Sequence, residues 1–444
     1  MKVYPAIIFL GLLFSLSQAS VAQQNESNWP DWRGPLETGA AINAHPPVEF
    51  SDTINLKWKL DIPGKGHATP IVWGDQMIIL TAVATDIKGK TEEEDTEEEG
   101  MGRRAMSPNQ TDLIHEYRVI SVNKNTGDIQ WETTVIEEMP LERTHKLGSW
   151  ASNSPVTDGE LIYAYFGSRG LFCLDFEGKI LWKQDWGQME KVMSFGEGSS
   201  PAVYGDIVVV VWDHEGQSLI SAMDKKTGEE IWIKDREERS SWSTPLILDV
   251  NGKAQVITSA TNKIRSYDLE TGDIVWESTG MTRNVIPNPV YADGILYLMS
   301  GYRGTALQAI DLAKAEGDIT DSEAMLWQYN QDTPYTPCPL LMDGKLYFLR
   351  NNNGFLSCLD AKTGDPHYSK VKIEGIGNLY SSPTGADGKI YIAADGIVVV
   401  IRAGEQYELL SSTNLDDTFH ASPVIIGNDL FLRGFKSLYC FTEK

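Results

Sequence analysis

Short runs in which apolar and polar residues alternate recur along this chain, broken by turns built on Gly, Asp and Asn. A period of two marks a strand with one face buried. Val203-Tyr204-Gly205-Asp206 and Met342-Asp343-Gly344-Lys345 each end one such run and begin the next. A glycine there takes positive φ at little cost and closes a hairpin.

The runs belong to a larger unit. Each copy opens with a small residue before a proline, passes through two turns, and ends in Asp-x-x-Thr-Gly followed by a Trp. The fullest copy runs Ser243-Thr244-Pro245, Asn251-Gly252, Asp268-Leu269-Glu270-Thr271-Gly272, Trp276. The leading prolines are Pro70, Pro155, Pro201, Pro245, Pro289, Pro339, Pro383 and Pro423, spaced 40 to 50 residues apart after a first gap of 85. A repeat of this period predicts an array of supersecondary units. In the Asp-x-x-Thr-Gly turn the carboxylate caps free amides and Gly takes the left-handed position. The Trp slot holds Trp131, Trp182, Trp232, Trp276 and Trp327, then Tyr368 and Leu410. A large ring on each outer strand wedges between neighbouring sheets.

The predicted fold is all-β: an eight-bladed β-propeller of four-stranded antiparallel blades. The eighth unit ends one strand short. Leu56-Lys57-Trp58-Lys59-Leu60 carries a Trp in the right slot, so the N-terminal strand is expected to close the ring and remove an open edge. The predicted organisation is a propeller over 54–444, an extension over 23–53, and an acidic insertion over 84–114 in the first long loop.

Residues 1–22 have the form of a secretory signal: Lys2, the apolar run Ala6 to Phe14, and Ser20-Val21-Ala22 at the cleavage point. A periplasmic or extracellular monomer without a transmembrane segment is the expectation. The balance of 38 Lys+Arg against 62 Asp+Glu gives a net charge of −24, which argues against nucleic acid as a partner. Cys173, Cys358 and Cys440 fall at one repeat position and are expected as core residues; Cys338 and Cys358, within one repeat, are the candidate disulfide.

The Asp-x-x-Thr-Gly-x-x-x-Trp repeat resembles that of the pyrroloquinoline-quinone (PQQ)-type propellers, which include quinoprotein alcohol dehydrogenases and BamB-like assembly propellers. Asn28-Trp29-Pro30-Asp31-Trp32-Arg33-Gly34-Pro35 resembles the opening of exported members. For a dehydrogenase the resemblance implies a stacking Trp, a vicinal disulfide, calcium held by Glu and Asn, and an Asp base. Glu215 and Asn262 resemble the calcium ligands and Trp242 the stacking residue, all three as cofactor-binding candidates. There is no Cys-Cys pair, and no Asp precedes the fourth or fifth blade at Ser240 to Thr244 or Arg283 to Asn288.

Propeller topology sends the loops between blades and the central hairpin of each blade to one face, the top. His67 and His420 take equivalent slots there in the first and last blades, and are a candidate metal pair or ligand contact. Thr69, Ser154, Ser200, Thr244, Ser382 and Ser422 form a ring of hydroxyls expected to bond local backbone. Arg169, Arg303, Arg433 and Arg283 fall in top loops, whereas the bottom turns carry Asp75, Asp158 and Asp206. A planar guanidinium suits carboxylate, sulfate or phosphate. Two functions follow. The first is an exported, non-catalytic binding or scaffold module for a protein, glycan or small anionic ligand on the top face, with no cofactor. The second is a PQQ- and Ca²⁺-dependent quinoprotein oxidoreductase with a degenerate site.

Overall fold

The computed structural model describes residues 27–89 and 111–443. The signal-like residues 1–22 and the acidic runs at 92–99 lie outside the described residues. Eight antiparallel sheets follow one another along the chain, one per repeat, as the blades of an eight-bladed propeller. Blade 3 shows the plan: Ala202–Tyr204, Ile207–Trp212, Ser218–Asp224 and Glu230–Arg236 pair in sequence from the axis outward. Inner strands are buried on both faces, with Val208, Val209 and Val210 wholly enclosed. In blade 7 the two middle strands run together as Lys389–Arg402, which turns at Gly396. In blade 1 the strands Gln76–Lys88 and Leu113–Asn123 extend into the expected insertion, so the connection is shorter than 84–114.

The last blade is completed from the other end of the chain. Leu56–Asp61 pairs antiparallel with Ser437–Thr442, placing Trp58 opposite Cys440.

The repeat motif is a lock between blades. The indole Nε1 of five outer-strand Trp residues donates to a carbonyl in the next blade's Gly-ending outer turn, Asp-x-x-Thr-Gly in blades 3, 4 and 6 and a variant of it in blades 1 and 2: Trp58 to Lys124 at 2.9 Å, Trp131 to Phe176 at 2.8 Å, Trp182 to Lys225 at 3.1 Å, Trp232 to Leu269 at 2.8 Å and Trp327 to Lys362 at 3.0 Å. The turn glycine lies flat on that ring; a Cβ on Gly228 would stand 2.7 Å from the Trp182 ring. So glycine is required there for its φ of +72° and for the approach of the ring. Trp276 faces a different neighbour. Blade 5 replaces the turn with an insertion in which Gly317–Asp318 adds a short parallel strand to blade 4, and Trp276 is buried against Leu312, Ile319 and Ala324.

The N-terminal extension runs beneath the ring. Trp29 exchanges backbone bonds with Val72, Pro30 accepts from the Thr157 amide, Thr38 accepts from Leu341, Ala41 donates to Gly385 and His45 to Gly427. These contacts touch blades 1, 2, 6, 7 and 8. The buried Arg33 guanidinium donates to the carbonyls of Pro339 at 2.7 Å and Pro383 at 3.2 Å, the leading prolines of blades 6 and 7. Burial pushes the neighbouring Asp31 carboxyl up to about 6 and Glu37 up to about 8.

All four cysteines are buried and free. The candidate bridge between Cys338 and Cys358 is therefore absent: Cys338 Sγ accepts the Asn288 amide on the channel side, while Cys358 sits in the third strand of blade 6, Phe355–Asp360.

Candidate functional site: the central channel

The residue before a proline is held extended, and in an extended chain alternate side chains share a face. Each leading proline therefore aims two preceding side chains at the axis, which makes two stacked layers.

The lower layer is the residue immediately before each proline. Its members form a closed circle of hydrogen bonds, each backbone N–H donating to the side chain of the next blade. Thr69 donates to Ser154 Oγ (2.9 Å), Ser154 to Ser200 Oγ (2.9 Å), Ser200 to Thr244 Oγ1 (3.1 Å) and Thr244 to Asn288 Oδ1 (2.9 Å). The circle continues through Asn288 to Cys338 Sγ (3.1 Å), Cys338 to Ser382 Oγ (2.9 Å), Ser382 to Ser422 Oγ (3.0 Å), and Ser422 back to Thr69 Oγ1 (3.0 Å). The hydroxyls bond backbone, but of the neighbouring blade rather than their own.

The upper layer is the residue two positions earlier: His67, Ser152, Gly198, Trp242, Ile286, Thr336, Tyr380 and His420, every one of which lines the central cavity. Phe195, Tyr302 and Tyr335 from the top loops extend its walls, and Trp32 of the N-terminal extension is its floor. The cavity holds about 370 Å³, within the range of sites that take small molecules or side chains. Tyr302 and Tyr335 stack with ring centroids 4.7 Å apart.

Burial favours the neutral forms of His67 and Glu197 in these walls. Burial, then the neighbouring His420, holds His67 well below the usual imidazole range. Its ring stacks on Phe435 at 4.7 Å and meets His420 edge-on at 4.8 Å. His420 Nε2 stands 3.5 Å from Asp395 Oδ1. Burial raises the Glu197 carboxyl, which accepts the Ser168 amide at 2.8 Å. Among the described residues no group of three or more His, Cys, Asp and Glu side chains is arranged to hold a metal ion.

Trp242, His67 and His420 thus meet in one cavity. Trp242 is anchored by Nε1 to the Gly196 carbonyl at 2.7 Å, and the buried Lys191 ammonium lies 5.0 Å from its ring. Glu215 and Asn262 do not line the cavity. Glu215 Oε1 takes both the amide (3.1 Å) and the hydroxyl (2.8 Å) of Ser240, and the Asn262 side-chain amide donates to the Glu237 carbonyl at 2.7 Å. As placed, these two do not fit the ligand pair of a calcium–quinone centre in the channel.

The four arginines separate. Arg433 is a correction to the expectation of an anion contact: it is buried and donates to the backbone carbonyls of Ala68, at 2.7 Å, and Leu80, bridging blades 8 and 1. Burial lowers its guanidinium to about 9. Arg169 is largely covered and paired with Glu138. Arg283 and Arg303 are exposed and flank a cleft with Thr261 and Thr282 beside the mouth, and the Arg303 guanidinium lies 5.4 Å from the Tyr302 ring.

Sequence reasoning passed over Trp32, Phe195, Tyr302, Tyr335 and Tyr380. The signal for Tyr380 was present: it stands three before Pro383, as His67, Trp242 and His420 stand three before theirs.

Comparison with known proteins agrees with this architecture. The family profile described as outer membrane protein assembly factor BamB matches residues 115–370 and 216–433. A BamB of Francisella salina is 26% identical over 106 residues, 24% of this chain and 18% of that one. A BamB of Kangiella koreensis is 32% identical over 149 residues, 31% of this chain and 34% of the relative. The aligned stretches span well under half of these relatives. Among solved structures, BamB from Moraxella catarrhalis superposes with a TM-score of 0.53 at 16% identity, covering 82% of this chain and 100% of that one. A europium-containing methanol dehydrogenase gives 0.67 at 11% identity, covering 96% and 100%. The quinohemoprotein alcohol dehydrogenase of Comamonas testosteroni gives 0.64 at 12%, covering 95% and 82%. At these identities the likeness is one of fold. The profile match spans most of the ring of repeats, and the chain belongs to the PQQ-type propeller family of the outer membrane protein assembly factor BamB.

Proposed function

We propose that this chain is an exported, non-catalytic binding propeller that takes a segment of a protein partner into the top mouth of its channel. The observation that carries this is the make-up of the cavity. Its walls are aromatic rings and imidazoles, its floor is an indole, and the acid and amide expected to hold calcium are engaged elsewhere. Rigid aromatic side chains around a concave site give large contact area at low entropic cost, as binding hot spots do. The family supports a protein partner: its members are named as assembly factors for outer membrane proteins. That name and the signal-like residues 1–22 favour export.

The competing reading is a quinoprotein dehydrogenase, and reconstitution separates the two. Purified protein is incubated with PQQ and Ca²⁺, desalted, and assayed for bound chromophore and dye-linked alcohol oxidation. The expected result is neither. Stoichiometric quinone with turnover, lost in Glu215→Ala or Asn262→Ala, would replace the binding reading with the enzymatic one.

A further inference from the structure

The circle of hydrogen bonds at the waist of the channel has a polarity. Each hydroxyl of Thr69, Ser154, Ser200, Thr244, Ser382 and Ser422 accepts an N–H from the preceding blade. The Ser382 hydroxyl faces the Cys338 sulfur, and the other five have no acceptor for their own proton among the described residues. All six side chains are at least nine-tenths buried and line the cavity. Asn288 follows the same rule: its Oδ1 takes the Thr244 amide and its Nδ2 has no acceptor among the described residues. Beneath them the indole Nε1 of Trp32, in the floor of the cavity, is buried and without a partner. A buried donor left unmatched costs free energy, and here such donors converge around one axis.

We propose that this waist is a binding site for a single acceptor-rich head group, a carboxylate or a comparable small oxyanion, held by the hydroxyl protons and the Trp32 indole. No cation donates into the site: Arg33, 5.5 Å from the Trp32 ring, directs its N–H groups to the carbonyls of Pro339 and Pro383, and Arg433 to those of Ala68 and Leu80. That selects one negative charge or a polarised carbonyl over a polyanion, and it repels no neutral body attached to the head group. The aromatic layer above accommodates that body. The site stands whether or not the mouth also receives a protein partner.

One natural substitution supplies the test. At Cys338 the circle uses sulfur as the acceptor, so a thiol preserves the amide bond while replacing a strong O–H donor with a weak S–H one. The full chain is labelled with 5-fluorotryptophan, the Trp32 resonance is assigned with Trp32→Phe, and acetate is titrated at fixed ionic strength beside tetramethylammonium. The expected result is a saturable shift of Trp32 with acetate and none with the cation. Ser154→Cys combined with Ser422→Cys should weaken acetate about tenfold, as loss of two such bonds implies. Absence of a saturable acetate shift, or equal affinity in the folded thiol variant, would overturn the proposal. If the thiol variant does not fold, Trp32→Phe leaves the circle intact and is followed at labelled Trp242. A loss of about fivefold is then expected, and unchanged affinity would overturn it.

Discussion

The amide of Ser422 donates to Oγ1 of Thr69 across 3.0 Å, joining residues 353 apart in sequence. It is the link that closes the inner circle between the last blade and the first. At the rim of the same seam, Trp58 from the N-terminal strand donates to the Lys124 carbonyl of blade 1. A propeller joined at both radii has no free sheet edge there.

Trp58→Ala should therefore act as a core truncation, because the ring is buried against Val424, Phe431 and Cys440. A loss of about 3–5 kcal/mol in urea unfolding is expected for a buried Trp. A change below about 1 kcal/mol, typical of a surface position, would mean that the strand adds little to closure.

Gly228 and Gly205 separate backbone from ring contact. Both have positive φ, +72° and +58°, but only a Cβ on Gly228 meets a neighbour, the Trp182 ring. Gly205→Ala should show the backbone cost alone, about 1 kcal/mol. Gly228→Ala should lose about 1–3 kcal/mol more from overpacking. Equal losses in urea melts would remove the turn-and-Trp lock from the explanation of the repeat.

How much of this was legible in the sequence depended on how local each feature is. The blades were legible because every copy of the Asp-x-x-Thr-Gly turn carries its own caps; Asp224 Oδ1 takes the amides of Lys226 and Thr227 within four residues. The closing strand was legible because Trp58 repeats a known slot. Arg33 was not, since the two proline carbonyls it bridges lie 306 and 350 residues away. Arg433 was misplaced for a related reason: topology put its loop on the top face, but its side chain turns inward to the Ala68 carbonyl. The cavity aromatics Phe195, Tyr302 and Tyr335 sit in loops of unequal length, where no period marks them.

Arg433→Ala should destabilise by about 2–4 kcal/mol, since it strands two buried carbonyls that a charged donor now satisfies. Arg283→Ala with Arg303→Ala should leave the melting temperature within about 1 °C, as both are exposed and support no buried group. Calorimetry on the two variants checks the distinction; a silent Arg433→Ala would return it to the surface.

Glu142 gives a pH dependence of definite sign. Its Oε1 accepts the Lys191 amide at 2.7 Å, Oε2 has no partner, and burial pushes the carboxyl up to about 8 from 4.5. Between those values the folded chain holds a proton that the unfolded chain releases, so its contribution to stability falls as pH rises through the window. Glu142→Gln should match the parent near pH ~4 and exceed it near pH ~9. Parallel unfolding curves at both pH values would refute the assignment.

Occupancy of the mouth is the central claim, and site-specific photocrosslinking in the exporting cell measures it most directly. A benzophenone side chain at Tyr335, in the cavity wall, should give discrete covalent adducts with a protein partner, and Trp242→Ala should reduce them. The same group at Tyr204, which is 40% exposed beside a bottom turn, should give none. Adducts of equal yield from both positions, or from Tyr204 alone, would contradict a binding site at the top of the channel.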